Sequence, residues 1–254
     1  MNLPRRISLI RLGVLLAGLT PLACQSGPAT VDFPFTHPDT AQALERRVSQ
    51  ERYEQRAEQL QLREEARLED WLARQLWADG LPVWNRPGEF TVATIPAIDR
   101  SEKAFVALLA SEADAGLILE AAGAWTTAMR AKNLPRPPLS IRFVVCHDEN
   151  APFSWMPDED SAYLRGVLVL KSAESVRSGV VTYDAPSSPL LDSVFAGSEA
   201  RALSGDIEEG DSSRGLSARS RAERPDLPLV SLQAAPESAR DLVAVALRAI
   251  LQLR

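Results

Sequence analysis

Between Asp39 and Asp79 apolar positions recur at three- and four-residue intervals amid charge. Asp39 is a candidate N-cap with Gln42 three residues on, and Leu44 and Val48 share a face. Leu68, Trp71, Leu72 and Leu76 form a stronger stripe that Gly80 ends. This predicts helices across 39–79, with the charged run 45–70 as a solvated face or, alternatively, a docking face for a partner. Leu81–Trp84 and Glu89–Ile95 read as strands, the second rich in β-branched residues. Ala104–Met129 is apolar at mixed spacing and predicts one or two helices packed on a sheet. After a break at Asn133–Pro138, Leu139–Cys146 is apolar on both faces at its end, the pattern of a central strand. Tyr163–Leu170, Gly179–Tyr183 and Leu227–Leu232 are further strand candidates. Glu237–Leu253 predicts a terminal helix with Leu242, Val245, Ala246, Ala249, Ile250 and Leu253 inward. Residues 185–226, dominated by Ser, Ala, Arg, Glu, Gly and Pro, read as loop or disordered. Strands alternating with helices predict an α/β fold of three layers, α/β/α, around a mostly parallel or mixed sheet.

The start of the chain follows different rules. Arg5, Arg6 and Arg11 precede Leu12–Ala23, an apolar stretch of the length of a secretory signal and too short to span a bilayer. Small Ala23 directly before Cys24, with leucines upstream, resembles the bacterial lipobox, in which the cysteine is lipidated and becomes the new N-terminus; Pro21 departs from that pattern. The expected organisation is a signal peptide over 1–23, a Pro/Gly/Thr-rich tether over 24–38 and a folded domain over 39–254. Lipid on Cys24 implies membrane attachment in the cell envelope. In a Gram-negative cell, Gln25 in place of Asp implies the periplasmic face of the outer membrane. A secreted protein is the alternative, and a cytosolic chain with an apolar start a third reading.

Composition narrows the chemistry. With 45% hydrophobic and 24% charged residues the 254-residue chain is globular. His37, His147, Cys24 and Cys146 are all the imidazoles and thiols it has, too few for a zinc finger or an iron–sulfur cluster. The net charge of −6 becomes −9 once residues 1–23 and their three arginines are removed, which argues against a nucleic-acid partner. Cys146 and His147 are adjacent, but neighbours on a strand point to opposite faces, so they do not form a dyad. His147 reads as a hydrogen-bonded residue at a strand end, or else a surface metal ligand. Asp158-Glu159-Asp160 reads as a solvated loop, or else a weak calcium site. Trp71, Trp77, Trp84 and Trp125 read as core or interface residues. Trp155, beside Phe153, is the candidate cleft residue.

Three segments carry a family resemblance. Residues 66–95 (ARLEDWLARQLWADGLPVWNRPGEFTVATI), 117–145 (LILEAAGAWTTAMRAKNLPRPPLSIRFVV) and 149–153 (ENAPF) resemble metallopeptidase family twenty-eight, the group of the di-zinc aminopeptidases S and Y, glutamate carboxypeptidase and glutaminyl cyclase. The resemblance implies a zinc-exopeptidase-like fold with a shortened C-terminal half. Family members hold two zinc ions with two histidines and three carboxylates, and a further glutamate deprotonates the bridging water. Matched residue by residue, the His-x-Asp motif reads Ala97-Ile98-Asp99, so the ligand is lost and the orienting aspartate kept. The bridging aspartate position falls in Ser111–Gly116, where Glu112 stands in if Gly116 is matched and Ala110 if Glu120 is. The Glu-Glu pair reads Glu149-Asn150, keeping the base and replacing a ligand by an amide. Asp184 matches the next metal carboxylate, and no histidine follows His147 to match the last ligand. The resemblance thus implies a relative with vestigial metal positions at Ala97, Asp99, Glu112, Asn150 and Asp184 and a vestigial base at Glu149. The expectation is a non-catalytic, envelope-anchored protein without a cofactor, binding or scaffolding a peptide or protein partner. Two alternatives stay open: a hydrolase with one metal, zinc, on carboxylates, and an interaction protein docking through its charged N-terminal helix.

Overall fold

In the computed structural model, residues 38–63, 65–99, 102–131, 134, 136–184, 206–209 and 215–252 are described. The strands are β1 (Val83–Arg86), β2 (Phe90–Ile95), β3 (Phe105–Ser111), β4 (Ser140–Cys146), β5 (Leu164–Ser172), β6 (Val180–Asp184), β7 (Asp206–Glu209) and β8 (Leu229–Ala234). They make one sheet in the order β1, β2, β4, β3, β5, β8, β6, β7. Its centre, β4, β3, β5 and β8, is parallel, while β2 runs antiparallel to β4 and β6 to β8. The sheet is therefore mixed and the fold α/β.

Among the described residues six helices flank it: α1 (Pro38–Glu45), α2 (Gln50–Gln61), α3 (Glu65–Ala78), α4 (Ala115–Arg130), α5 (Leu216–Glu223) and α6 (Ala239–Gln252). The core on one face joins Leu72, Leu76, Leu108, Leu117, Trp125, Phe143, Leu168 and Leu242, so the first four helices and α6 all lie on that side. Two of these, α4 and α6, are buried almost along their whole length. The opposite face, with Phe90, Phe105, Leu109, Val144 and Val167, is covered by the 147–163 turns and the start of α5 through Phe153, Trp155 and Leu216. Three layers result, with the third far thinner than the first.

Differences from the sequence-based expectations have physical reasons. Phe105–Ser111 is a strand, not part of a helix. All seven residues are buried, and a short apolar run buried on both faces has no period to separate helix from strand. Within 185–226, expected to be loop or disordered throughout, β7 and α5 form. α5 buries only Leu216, Ser217 and Ser220, so it carries no apolar stripe that a pattern could reveal. Helices 1 to 3 are not a free arm but part of the first layer. The charged run is split at Ser49, whose hydroxyl accepts from the Arg52 N–H as an N-cap (3.2 Å). Its arginines Arg52 and Arg56 turn inward onto Glu120 of α4. The stop at Gly80 forms as expected, at φ +83°, with Gly80 N–H donating to Trp77 O and Leu81 N–H to Leu76 O. Trp71, Trp125 and Trp155 are buried, whereas Trp77 and Trp84 are exposed.

Candidate functional site

Parallel strands bring their C-terminal ends to one edge of the sheet, the usual place for a cleft in open α/β folds. Ser111 lies opposite Cys146 across the β3–β4 ladder, so the segments Glu112–Asp114 and His147–Glu149 leave the sheet side by side. The end of β5, Lys171-Ser172, completes the edge.

His147 organises it. Its side chain is 3% exposed, with Nδ1 2.9 Å from a Glu112 carboxylate oxygen and Nε2 2.9 Å from the Thr91 hydroxyl of β2. Asp114, on the first turn before α4, accepts from Ser172 N–H (2.8 Å) and from the Ser111 hydroxyl (3.0 Å). Burial pushes its carboxyl above the usual carboxylate range, opposed by those two donors and by Lys171, and reinforced by the charge of Glu149. Cys146 is buried and its Sγ donates to Pro152 O (3.5 Å). Burial first, then the charges of Glu149, Glu223 and Asp148, drive the thiol's pKa strongly upward, which leaves it unreactive.

Glu149 follows in the turn after β4 and receives Arg219 of α5 (3.0 Å), a largely exposed pair. Asn150, beside it, donates its backbone N–H to Asp148 (2.9 Å). Asp184 ends β6 opposite Ser231, partway along β8 rather than at the edge, and Arg221 of α5 bonds both its carboxylate (2.8 Å) and its backbone carbonyl (3.0 Å). One short helix thus ties Glu149 and Asp184 together through arginines two residues apart.

Ala97 and Asp99 do not join this group. β2 is antiparallel to β4, so Ile95 faces Ile141 and the chain beyond it lies where β4 begins: Ala97 N–H donates to the Ser140 hydroxyl (3.1 Å) and Ile98 N–H to Pro137 O (2.8 Å). They sit at the opposite end of the sheet from Glu112 and Glu149. The strand that runs into the next helix is β3, so the position after that strand is Glu112-Ala113-Asp114. Sequence reasoning missed Asp114, Thr91 and the arginines of α5. Asp114 was legible as the second acid of a Glu-x-Asp directly after an unbroken apolar run, once that run is taken as a strand.

No family model matches the chain, and no curated protein matches it in sequence. Solved structures do match in shape. The LapA aminopeptidase of Legionella pneumophila superposes with a TM-score of 0.64 at 9% identity, over 98% of this chain and 80% of that one. A hydantoinase/carbamoylase family amidase from Burkholderia ambifaria gives 0.54 at 10% identity, over 84% and 97%. A zinc aminopeptidase from Bacillus subtilis gives 0.50 at 8% identity, over 64% and 49%.

The fold is metallopeptidase-like.

The Bacillus subtilis neighbour is a zinc aminopeptidase, and the donors at this edge do not suit that metal. A carboxylate only accepts, so His147 Nδ1 donates to Glu112, and Nε2 is engaged by Thr91. In either protonation state the peptidase-like edge has no imidazole lone pair left for a metal. Among the described residues, no group of three or more His, Cys, Asp or Glu is arranged to hold a metal ion.

Proposed function

We propose that this chain is a relative of metallopeptidase family twenty-eight, anchored in the cell envelope through lipid on Cys24, whose peptidase-like domain binds a partner instead of hydrolysing a substrate. The observation that carries the reading is the state of His147. It is the one imidazole at the strand ends among the described residues, and both its nitrogens are spent on Glu112 and Thr91. The other matched carboxylates support it: Asp184 is held by Arg221 and Glu149 by Arg219, so each is already paired with a cation of the same chain. A water activated for attack at neutral pH needs that metal charge near it. Glu149, the matched base position, has no such water to act on in this reading.

The test is metal content and turnover of the mature protein purified without chelator. The expected result is substoichiometric zinc by elemental analysis and no cleavage of aminoacyl anilides or dipeptides that disappears in Glu149→Gln. One zinc per chain together with Glu149-dependent cleavage would establish the single-metal hydrolase and sink this reading.

A further inference from the structure

At the other end of the sheet the face that α5 leaves uncovered forms a second cleft, of about 770 Å³. That volume lies within the range of small-ligand sites. Its floor is β2, β3 and β4, its walls Trp84 of β1 and the turn carrying Trp155 and Tyr163. Arg142 is the unusual residue. It interrupts an otherwise apolar strand, SIRFVVC, on the face that elsewhere buries Val144 and Cys146. Its guanidinium lies over the Phe105 ring at 3.8 Å and within 5.8 Å of the Trp155 ring, and Nη2 donates to Asp160 (2.8 Å). Among the described residues, Asp160 is the one acceptor it has, so the Nε and Nη1 donors remain at the floor of the cleft. Two stacked rings and one ion pair fix the plane of the guanidinium, which lowers the entropy lost on binding.

Charge and shape choose the ligand. Lys103, over the Tyr163 ring at 5.3 Å, is the other cation; Glu102, Glu159 and Asp160 are the acids. Glu102 takes the Ala104 N–H and Asp160 takes Arg142, which leaves Glu159 at the rim. Two cations against three acids repel a multiply charged phosphate, and a single carboxylate is held by the local donors of Arg142 rather than by the charge of the cleft as a whole. Trp84, 54% exposed and standing edge-on to Phe90, offers its indole to a flat body.

We propose that this cleft binds a monocarboxylate carried on an aromatic or flat apolar body, with Arg142 as the charged donor to the carboxylate and Trp84 and Tyr163 as the walls. The proposal goes beyond the function given above and stands without it, because the cleft shares no residue with the peptidase-like edge.

The carboxylate could belong to a free small acid or to the C-terminus of a peptide. Calorimetric titration of the full mature chain with 3-phenylpropionate and with Gly-Gly-Phe, each beside its amide, separates these sources. At least one acid is expected to bind, with its amide about tenfold weaker or worse. Arg142→Gln should lose a similar factor and Trp84→Ala about fivefold. Circular dichroism checks the fold of both variants, and the exposed Trp84 position keeps the test open if Arg142→Gln does not fold. Equal binding of acid and amide, binding unchanged in folded variants, or no binding of either acid to the wild type would each overturn the proposal.

Discussion

Asp114 holds a negative charge where burial opposes it, and its carboxyl is raised for that reason. A raised carboxylate makes the folded state bind a proton more readily than the unfolded chain, so its ionised form costs stability at neutral pH. The cost is relieved as pH falls through the raised value toward about 4, the unfolded reference. Asp114→Asn keeps an acceptor for Ser172 N–H and removes the titration. Urea unfolding should therefore show the asparagine variant gaining most over wild type near pH 7, and the gap moving in favour of wild type by pH 5. A gap independent of pH would show that Asp114 is not shifted. No residue pattern announces this behaviour, because burial of a polar side chain depends on what folds over it.

The join between α2 and α4 turns on one buried carboxylate. Glu120 is 0% exposed. One of its oxygens accepts Ser49 N–H (2.8 Å) and Arg52 Nη2 (2.5 Å), and the other accepts Arg52 Nε (2.7 Å) and lies near Arg56 Nη1 (3.5 Å). Arg56 also reaches Asp79 and the Leu119 carbonyl, linking the end of α3 to the same cluster. Deleting the carboxylate takes from Arg52, Arg56 and the Ser49 N–H the acceptor they share. Glu120→Ala should cost about 3 kcal/mol and Glu120→Gln about 1–2 kcal/mol in denaturant unfolding. Losses below about 0.5 kcal/mol for Ala would mean the arginines simply reach water. Much of the element map was legible: the stripe Leu68 to Leu76, the Gly80 stop, β2, β4 and α6 all follow from period and punctuation. The same reasoning set Arg52 and Arg56 among solvated charges because it sees a helix face but not what the face meets. It placed Ala97-Ile98-Asp99 at the site because β3, read as helix, removed one strand from the count.

For the molecule as a whole, the sequence speaks of a leading segment beyond the described domain. The signal and tether of the sequence reading, up to residue 37, lie outside the described residues, and among the described residues no helix is long and apolar enough to cross a membrane. In the proposed reading lipid on Cys24 is the attachment, and a single acylated site joined to an acidic body gains nothing from anionic headgroups. Metabolic labelling with a palmitate analogue should mark the wild type and leave Cys24→Ala unlabelled and released from the membrane fraction. An unlabelled wild type would instead fit the secreted alternative.

Unequal cover on the two sides of the sheet sets an order of opening. The thick side shares its apolar contacts among five helices. Among the described residues, the thin side rests on the 147–163 turns and one eight-residue helix held by Arg219, Arg221 and a hydroxyl pair, Ser217 with Ser231 at 2.8 Å. Such a patch opens at far lower free energy than the whole domain, and its largely exposed Arg219–Glu149 bridge weakens with salt. Each opening parts Arg219 from Glu149 and Arg221 from Asp184 together, so the two ion pairs respond to ionic strength as one unit.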